Sequence, residues 1–324
     1  MAIRIGISGW RYAPWRGVFY PDDLPQKREL EYASRQFPTI EVNGSFYSLQ
    51  SPESWKAWHD STPRDFRFAI KGPRYLTHIR RLRDIGKPLG NFMASGLLQL
   101  GAKLGPFLWQ FPPNMKYDRA LFDDFLAMLP RDTDAASALA RKRDRTLMRG
   151  RSVLKSDRNR RLRHAVEIRH ESFRCDGFID LLRRHDVALV VADTAGKWPL
   201  LEDVTAGFMY LRLHGDAELY VSGYGDAALA DWAARIRAWA GGAEPADARR
   251  AADRTAPARK SRDVYAYFDN DVKVRAPFDA RALMQRLGLA DALSADPERL
   301  ARAASGQART GWPGIRRARA PRRR

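Results

Sequence analysis

A single cysteine, Cys175, among 324 residues rules out an internal disulfide, and with it the stapled scaffold of a small secreted domain. No apolar run approaches the ~20 residues that a membrane-spanning helix needs, so no membrane partner is expected. The opening MAIRIGISGW carries neither a basic leader nor a long apolar stretch, which makes secretion unexpected and a cytoplasmic location the natural expectation. Local catalytic signatures are equally scarce. No glycine fingerprint for a dinucleotide follows a strand, and there is no P-loop, GxSxG elbow, HExxH or paired CxxC. The sequence therefore names no cofactor and offers no metal-ligand motif.

Positive charge, by contrast, is in excess. The formal net charge is +19, concentrated in three stretches. Residues 141–163 carry +9, residues 249–262 carry +5 and residues 300–324 carry +8, which leaves −3 on the rest of the chain. All three lack a helical apolar stripe or strand alternation and are rich in Arg, Ala, Ser and Asp, the pattern of solvated loops and a disordered tail. Solvated insertions without a dedicated site are the plainer reading of these segments; nonspecific contact with nucleic acid is the functional alternative, and it would weaken with added salt.

Short β-branched or aromatic runs bounded by turn residues predict eight strands, at 3–9, 39–44, 66–72, 107–111, 164–170, 187–193, 208–215 and 263–270. Helical spacing of apolar residues predicts helices at 25–36, 52–60, 91–104, 118–129, 177–185, 226–240 and 278–287, with Ser51 as the N-cap of the second. This alternation predicts an α/β fold, a (β/α)8 TIM-like barrel, as one domain over 1–290 followed by a basic, disordered tail over 291–324. The body without its basic segments approaches the ~250 residues usual for that fold. Between Asp193 and Gly207 the chain holds Trp198-Pro199 and little helical pattern, so the sixth crossover is expected to be degenerate or a loop. An open doubly wound sheet is the alternative, because local patterns do not show closure. The basic insertions 141–163 and 249–262 precede strands five and eight. They are thus expected on the face opposite the chemistry.

Strand side chains alternate, so an apolar helix-facing set identifies an inward set. With Ile5, Ile7, Ile40, Val42, Val166, Ile168, Met209, Leu211 and Leu213 outward, the inward set reads Ser8, Glu41, Asn43, Lys71, Gln110, Glu167, Arg169, Asp193, Tyr210, Arg212, His214 and Asn270. Barrel interiors are ordinarily apolar, and most of these residues sit near the C-terminal strand ends, where this fold carries its active sites. A pocket for a small polar or anionic ligand is expected. Lys71, Glu167, Asp193 and His214 are the candidates for proton transfer. Glu41, Asn43, Gln110, Arg169, Arg212 and Asn270 are candidates for binding, the arginines through bidentate contacts to carboxylate or phosphate. Mutually satisfied ion pairs that merely pack the barrel are the plainer reading of the same residues. Lys71 as a Schiff-base nucleophile is a further alternative, ranked below a salt-bridged or ligand-binding lysine.

Trp10 and Tyr47, in aromatic loops after strands one and two, are candidates for stacking on a sugar or base, although such rings also roof a core. His78 and His170 follow strands three and five and complete the binding set. With Glu41, Glu167, Asp193 and His214 they would make an oxygen- and nitrogen-rich metal site, but no local spacing supports one.

Eight stretches carry a resemblance to a known family: GISGWRYAPWRGVFYP at 6–21, IEVNGSFYSLQSPESWKAW at 40–58, FRFAIKGPRYLTHIRRL at 66–82, LGPFLWQFPPN at 104–114, AVEIRHESF at 165–173, ALVVADTAG at 188–196, YLRLHG at 210–215 and VYAYFDND at 264–271. In order and coverage the chain resembles the DUF72, or YecE-like, proteins. The resemblance implies a TIM-like barrel and no established reaction. Likeness to barrels that act on sugars or abasic DNA is an analogy of fold. The chain departs from the family pattern at Gly44, Glu171 and Asp269, the last adding a negative charge near the expected site. The leading functional expectation is an enzyme acting on a small anionic or sugar-like substrate by acid–base chemistry. The alternatives are a nucleic-acid repair enzyme resembling the endonuclease IV type and a noncatalytic metabolite-binding barrel.

Overall fold

A computed structural model describes residues 1–289, so the sequence reading of 291–324 as a tail lies outside the described residues. Eight parallel strands close into one barrel in the order β1 to β8. They are β1 Ile3–Ser8, β2 Thr39–Val42, β3 Arg67–Lys71, β4 Leu104–Gln110, β5 His164–Glu167, β6 Ala188–Asp193, β7 Phe208–Leu213 and β8 Asp263–Phe268. Closure is direct, since Ile3 to Ile7 of β1 run in register with Val264 to Phe268 of β8. The open-sheet alternative is thereby removed.

Around the barrel lie α1 Glu29–Gln36, α2 Gly44–Tyr47, α3 Pro52–Ser61, α4 Gly86–Ala94, α5 Arg119–Met128, α6 Thr133–Arg141, α7 Asp176–Arg184, α8 Asp226–Ala240 and α9 Ala276–Arg286. Ser51 caps α3 by accepting from the Ser54 N–H, as its sequence position suggested. Helix α6 was not anticipated: its apolar residues are mostly alanine, yet Asp132 caps it through the Ala135 N–H. No described helix lies between β6 and β7. That crossover is a buried loop in which Glu202 accepts the Arg249 N–H, and Asp203 those of Ala251 and Ala252.

The parity of each strand builds the interior in layers. Ile5, Ile7, Ile40, Val42, Val166, Met209, Leu211 and Leu213 pack outward into the helix-facing core. Inside, Phe208, Tyr210, Tyr265 and Tyr267 fill the lower barrel against the small Ala69, Ala165, Ala188 and Ala192. Two strands thus supply bulk and three supply space, which preserves close packing in a tapering cylinder. Climbing β7, the inward residues run Phe208, Tyr210, Arg212, His214, so apolar filling gives way to charge toward the C-terminal mouth. At Gly9, just beyond β1, the backbone has φ +87° while its N–H meets the Glu41 carbonyl at 2.8 Å, a left-handed turn that suits glycine.

Candidate functional site

A cavity of about 660 Å³ opens at the C-terminal mouth, and Lys71, Arg169, Asp269, Asn43 and Gln110 reach it among aromatic walls. Strand β2 carries Glu41 inward below Asn43, β5 carries Glu167 below Arg169, and β7 carries Arg212 below His214. Arg212 is the hub. Its Nε and Nη2 donate to the two Glu41 carboxylate oxygens at 3.1 and 2.9 Å, its Nη1 to Glu167 at 2.7 Å, and its Nη2 also to Asp269 at 2.7 Å. Glu41 further accepts from Ser8 Oγ and Tyr210 OH, both at 2.6 Å. Glu167 accepts from Arg169 Nε at 2.8 Å, and the Arg169 guanidinium lies 3.9 Å from the Trp198 ring centre.

Burial alone would raise the Glu167 carboxyl, but Arg169 and Arg212 hold it well below the usual range. Asp269 behaves alike: burial opposes ionisation, and Arg212 with His214 outweighs it. For Arg212 burial disfavours the charge, while Glu41, Asp269 and Glu167 secure it. Asp271 moves the opposite way, raised by burial and by the negative Asp269. The two neighbouring carboxyls are thus pushed in opposite directions, while the nearby Tyr12 OH donates to the Ser8 carbonyl at 2.6 Å.

His214 is wholly buried and its pKa is lowered, first by burial and then by Arg212. Arginine can only donate, so the 3.3 Å contact from Arg212 Nη1 makes His214 Nε2 the acceptor and places the ring proton on Nδ1, 3.1 Å from Asp269. Lys71 differs from all of these. Its Nζ lies 4.5 Å from the Phe46 ring centre, and among the described residues no carboxylate comes within ion-pair distance of it. Burial and then the Arg212 charge lower its pKa to about 8, against the pull of Glu41, Asp269 and Glu167.

Of the remaining expected residues, Trp10 and Tyr47 line the cavity. Trp10 is 6% exposed and packs edge-on to Trp58, whereas Tyr47 is 72% exposed at the rim. His78 stands behind the wall against Phe46, its pKa lowered to about 4 by burial and by the Arg169 and Lys71 charges. Three placements correct the sequence reading. Asp193 turns outward, where Tyr224 OH donates to it at 3.0 Å, because Val190 and Ala192 occupy the inward positions of β6. Asn270 also turns outward, donating to Asp279 at 2.7 Å; the inward position above Tyr265 and Tyr267 belongs to Asp269. His170 caps the turn Glu171–Phe173 by accepting the Ser172 N–H instead of reaching the cavity. Among the described residues no group of three or more His, Cys, Asp or Glu side chains is placed to hold one metal ion.

Sequence reasoning did not single out Arg11, Gln50, Trp58 and Tyr220, all of which reach the cavity. Only Asp269 had a usable signal, its period of two with Tyr265 and Tyr267. Tyr220 takes φ +65° and its OH accepts from Arg169 Nη2 at 3.3 Å, a strained loop residue with no mark in the sequence. Neither basic insertion contributes a lining residue.

The pattern that matches this arrangement, the family described as "protein of unknown function DUF72", covers residues 4–303. The chain belongs to the DUF72 family. UPF0759 protein YunF of Bacillus subtilis (strain 168) is 29% identical over 116 residues, 34% of this chain and 40% of YunF. UPF0759 protein YecE of Escherichia coli (strain K12) is 28% identical over 110 residues, 34% of this chain and 38% of YecE. These matches span about two fifths of each relative. A solved DUF72 structure from Thermotoga maritima MSB8 superposes with a TM-score of 0.64 at 23% identity, over 89% of this chain and 100% of that one. One from Enterococcus faecalis V583 gives 0.62 at 16% identity, over 89% and 96%. The likeness to both is one of fold.

Proposed function

We propose that this DUF72 chain is an enzyme that acts on a small anionic or sugar-like substrate by acid–base chemistry at the C-terminal mouth of its barrel. The observation that carries the reading is the placement of Lys71: an amine at the cavity with no ion-pair partner among the described residues, beside carboxylates that other cations already hold, its pKa lowered to about 8 by burial and Arg212. A group whose pKa lies near working pH both accepts and returns a proton effectively. Glu167 and His214 act as positioning residues in this reading. Glu167 holds Arg169 and Arg212, and His214 fixes Asp269. Arg169 meets the anionic part of the substrate, and the Trp10 ring in the wall and the Tyr47 ring at the rim offer apolar surface to a sugar.

The test is to identify by native mass spectrometry what copurifies in the cavity, and then to follow that compound with the intact protein. Conversion over time, lost in Lys71→Met and reduced about 100-fold or more in Glu167→Gln, is the expected result. A ligand that is bound but never converted would make the protein a metabolite-binding barrel.

A further inference from the structure

We propose that Lys71 is a covalent site, at which its ε-amine condenses with the carbonyl of a small compound that also bears a carboxylate or phosphate. This inference rests on the reading of the cavity above and names its substrate class. The geometry has three parts. The Lys71 amine reaches the cavity at the end of β3 with the Phe46 ring 4.5 Å away, and no described carboxylate holds it in an ion pair. Arg169, also at the cavity, supplies a fixed cation for the anionic end of such a compound. The mouth is open to solvent at its rim, where Tyr47 is 72% exposed, so water can supply and take up protons there.

The step balances without any further reactant. The nitrogen lone pair adds to the carbonyl carbon as the π pair moves to oxygen, and one proton passes from nitrogen to that oxygen. A second proton, taken from water at the open mouth, lets the oxygen leave as water while the C=N bond forms, giving a protonated imine. Nucleophilic lysines of this kind need a desolvated amine near other cations. Lys71 has both. Burial and then Arg212 on β7 disfavour its charge; Glu41 on β2, Asp269 just past β8 and Glu167 on β5 favour it; the balance lowers its pKa to about 8. At neutral pH its free-base fraction exceeds that of an ordinary lysine on the order of a hundredfold.

The experiment incubates the full chain with glyoxylate in one arm and glycolaldehyde phosphate in another, each with cyanoborohydride, and maps the reduced adduct by peptide mass spectrometry. Saturable labelling of the Lys71 peptide at least tenfold above any surface lysine, rising with pH through about 8 and absent in Lys71→Arg, is expected in at least one arm. The arm that labels tells carboxylate from phosphate. Labelling spread over surface lysines, or unchanged in Lys71→Arg, would overturn the covalent site. Calorimetry with the same two compounds, without reductant, separates the two claims. Binding without trapping overturns the covalent step and leaves the cavity reading standing. No binding, no trapping and no copurifying ligand overturns both.

Discussion

At the C-terminal mouth, Arg212 directs its guanidinium at the buried Glu41 and Glu167 and at Asp269 on the cavity floor, whereas at the N-terminal mouth Arg163 makes a 2.8 Å bond to Asp263 and otherwise lies over the Phe208 ring. The Arg163 and Asp263 side chains remain 31% and 24% exposed, so water shares their charge. Glu41 and Glu167 have no such outlet, being fully buried. Solvent therefore does at one end what fixed side chains must do at the other. A preorganised electrostatic site follows only where neutralisation is built from side chains. Both mouths carry a depression, of about 660 and 230 Å³; in the larger Lys71, a cation without an ion-pair partner among the described residues, is buried, whereas in the smaller Arg259 is exposed to water.

The sharpest way to break this contrast is to remove the hub on each side. Arg212→Met leaves Glu41, Glu167 and Asp269 without their shared cation and is expected to cost about 3 to 5 kcal/mol in urea unfolding. Arg163→Met is expected to cost about 1 kcal/mol or less, since its partner can be hydrated. Equal losses would mean that the two mouths do not differ in kind.

The second comparison sets His164 against His214. Both are buried, but His164 accepts from Trp109 Nε1 at 3.1 Å and donates to the Pro130 carbonyl at 2.7 Å, outside the ion network. Burial lowers its pKa to about 3. The unfolded chain, with an ordinary histidine near 6.5, thus binds more protons between these values, so stability is full above about pH 6.5 and falls as pH drops toward 3. His164→Gln should remove about 5 kcal/mol of that dependence, read as the change in unfolding free energy between pH 6.5 and 3. His214, whose pKa is also lowered, acts in the same sense, so His214→Gln should likewise flatten the slope below about pH 6.5, leaving what the depressed Glu167 and Asp269 contribute at lower pH.

A smaller effect is expected behind the sixth crossover. Asp203→Ala frees the N–H groups of Ala251 and Ala252 and is expected to cost about 2 kcal/mol. Hydrogen exchange should quicken at those two amides while the barrel strands stay protected. Loss of protection throughout the barrel would instead make this loop part of the global core.

The strand order, the outward apolar set and the loop in place of a sixth helix were legible because each rests on local pattern: alternation, helical period and the Trp198-Pro199 break. Most inward residues followed from the same parity. Parity failed where a strand gives no contrast. Strand β6 reads ALVVAD, apolar on both faces, so nothing local said that Val190 and Ala192 point in and Asp193 out. On β8 the choice between Asp269 and Asn270 needed the inward tyrosines as a guide. Helix α6 was hidden by its small residues, and Tyr220 by a loop conformation that no residue type announces.

On strands whose two faces contrast, the sequence by itself determined which polar residues point inward, since the two-residue period of a strand is a local property. Only the closed barrel decided which charges meet. Arg212 and Glu41 lie 171 residues apart in the chain and are joined at 2.9 Å by the tilt and stagger of eight strands. The same closure left Lys71 beside those charges without an ion-pair partner among the described residues, and pairing of this kind depends on three-dimensional distance and dielectric surroundings that no run of residues encodes.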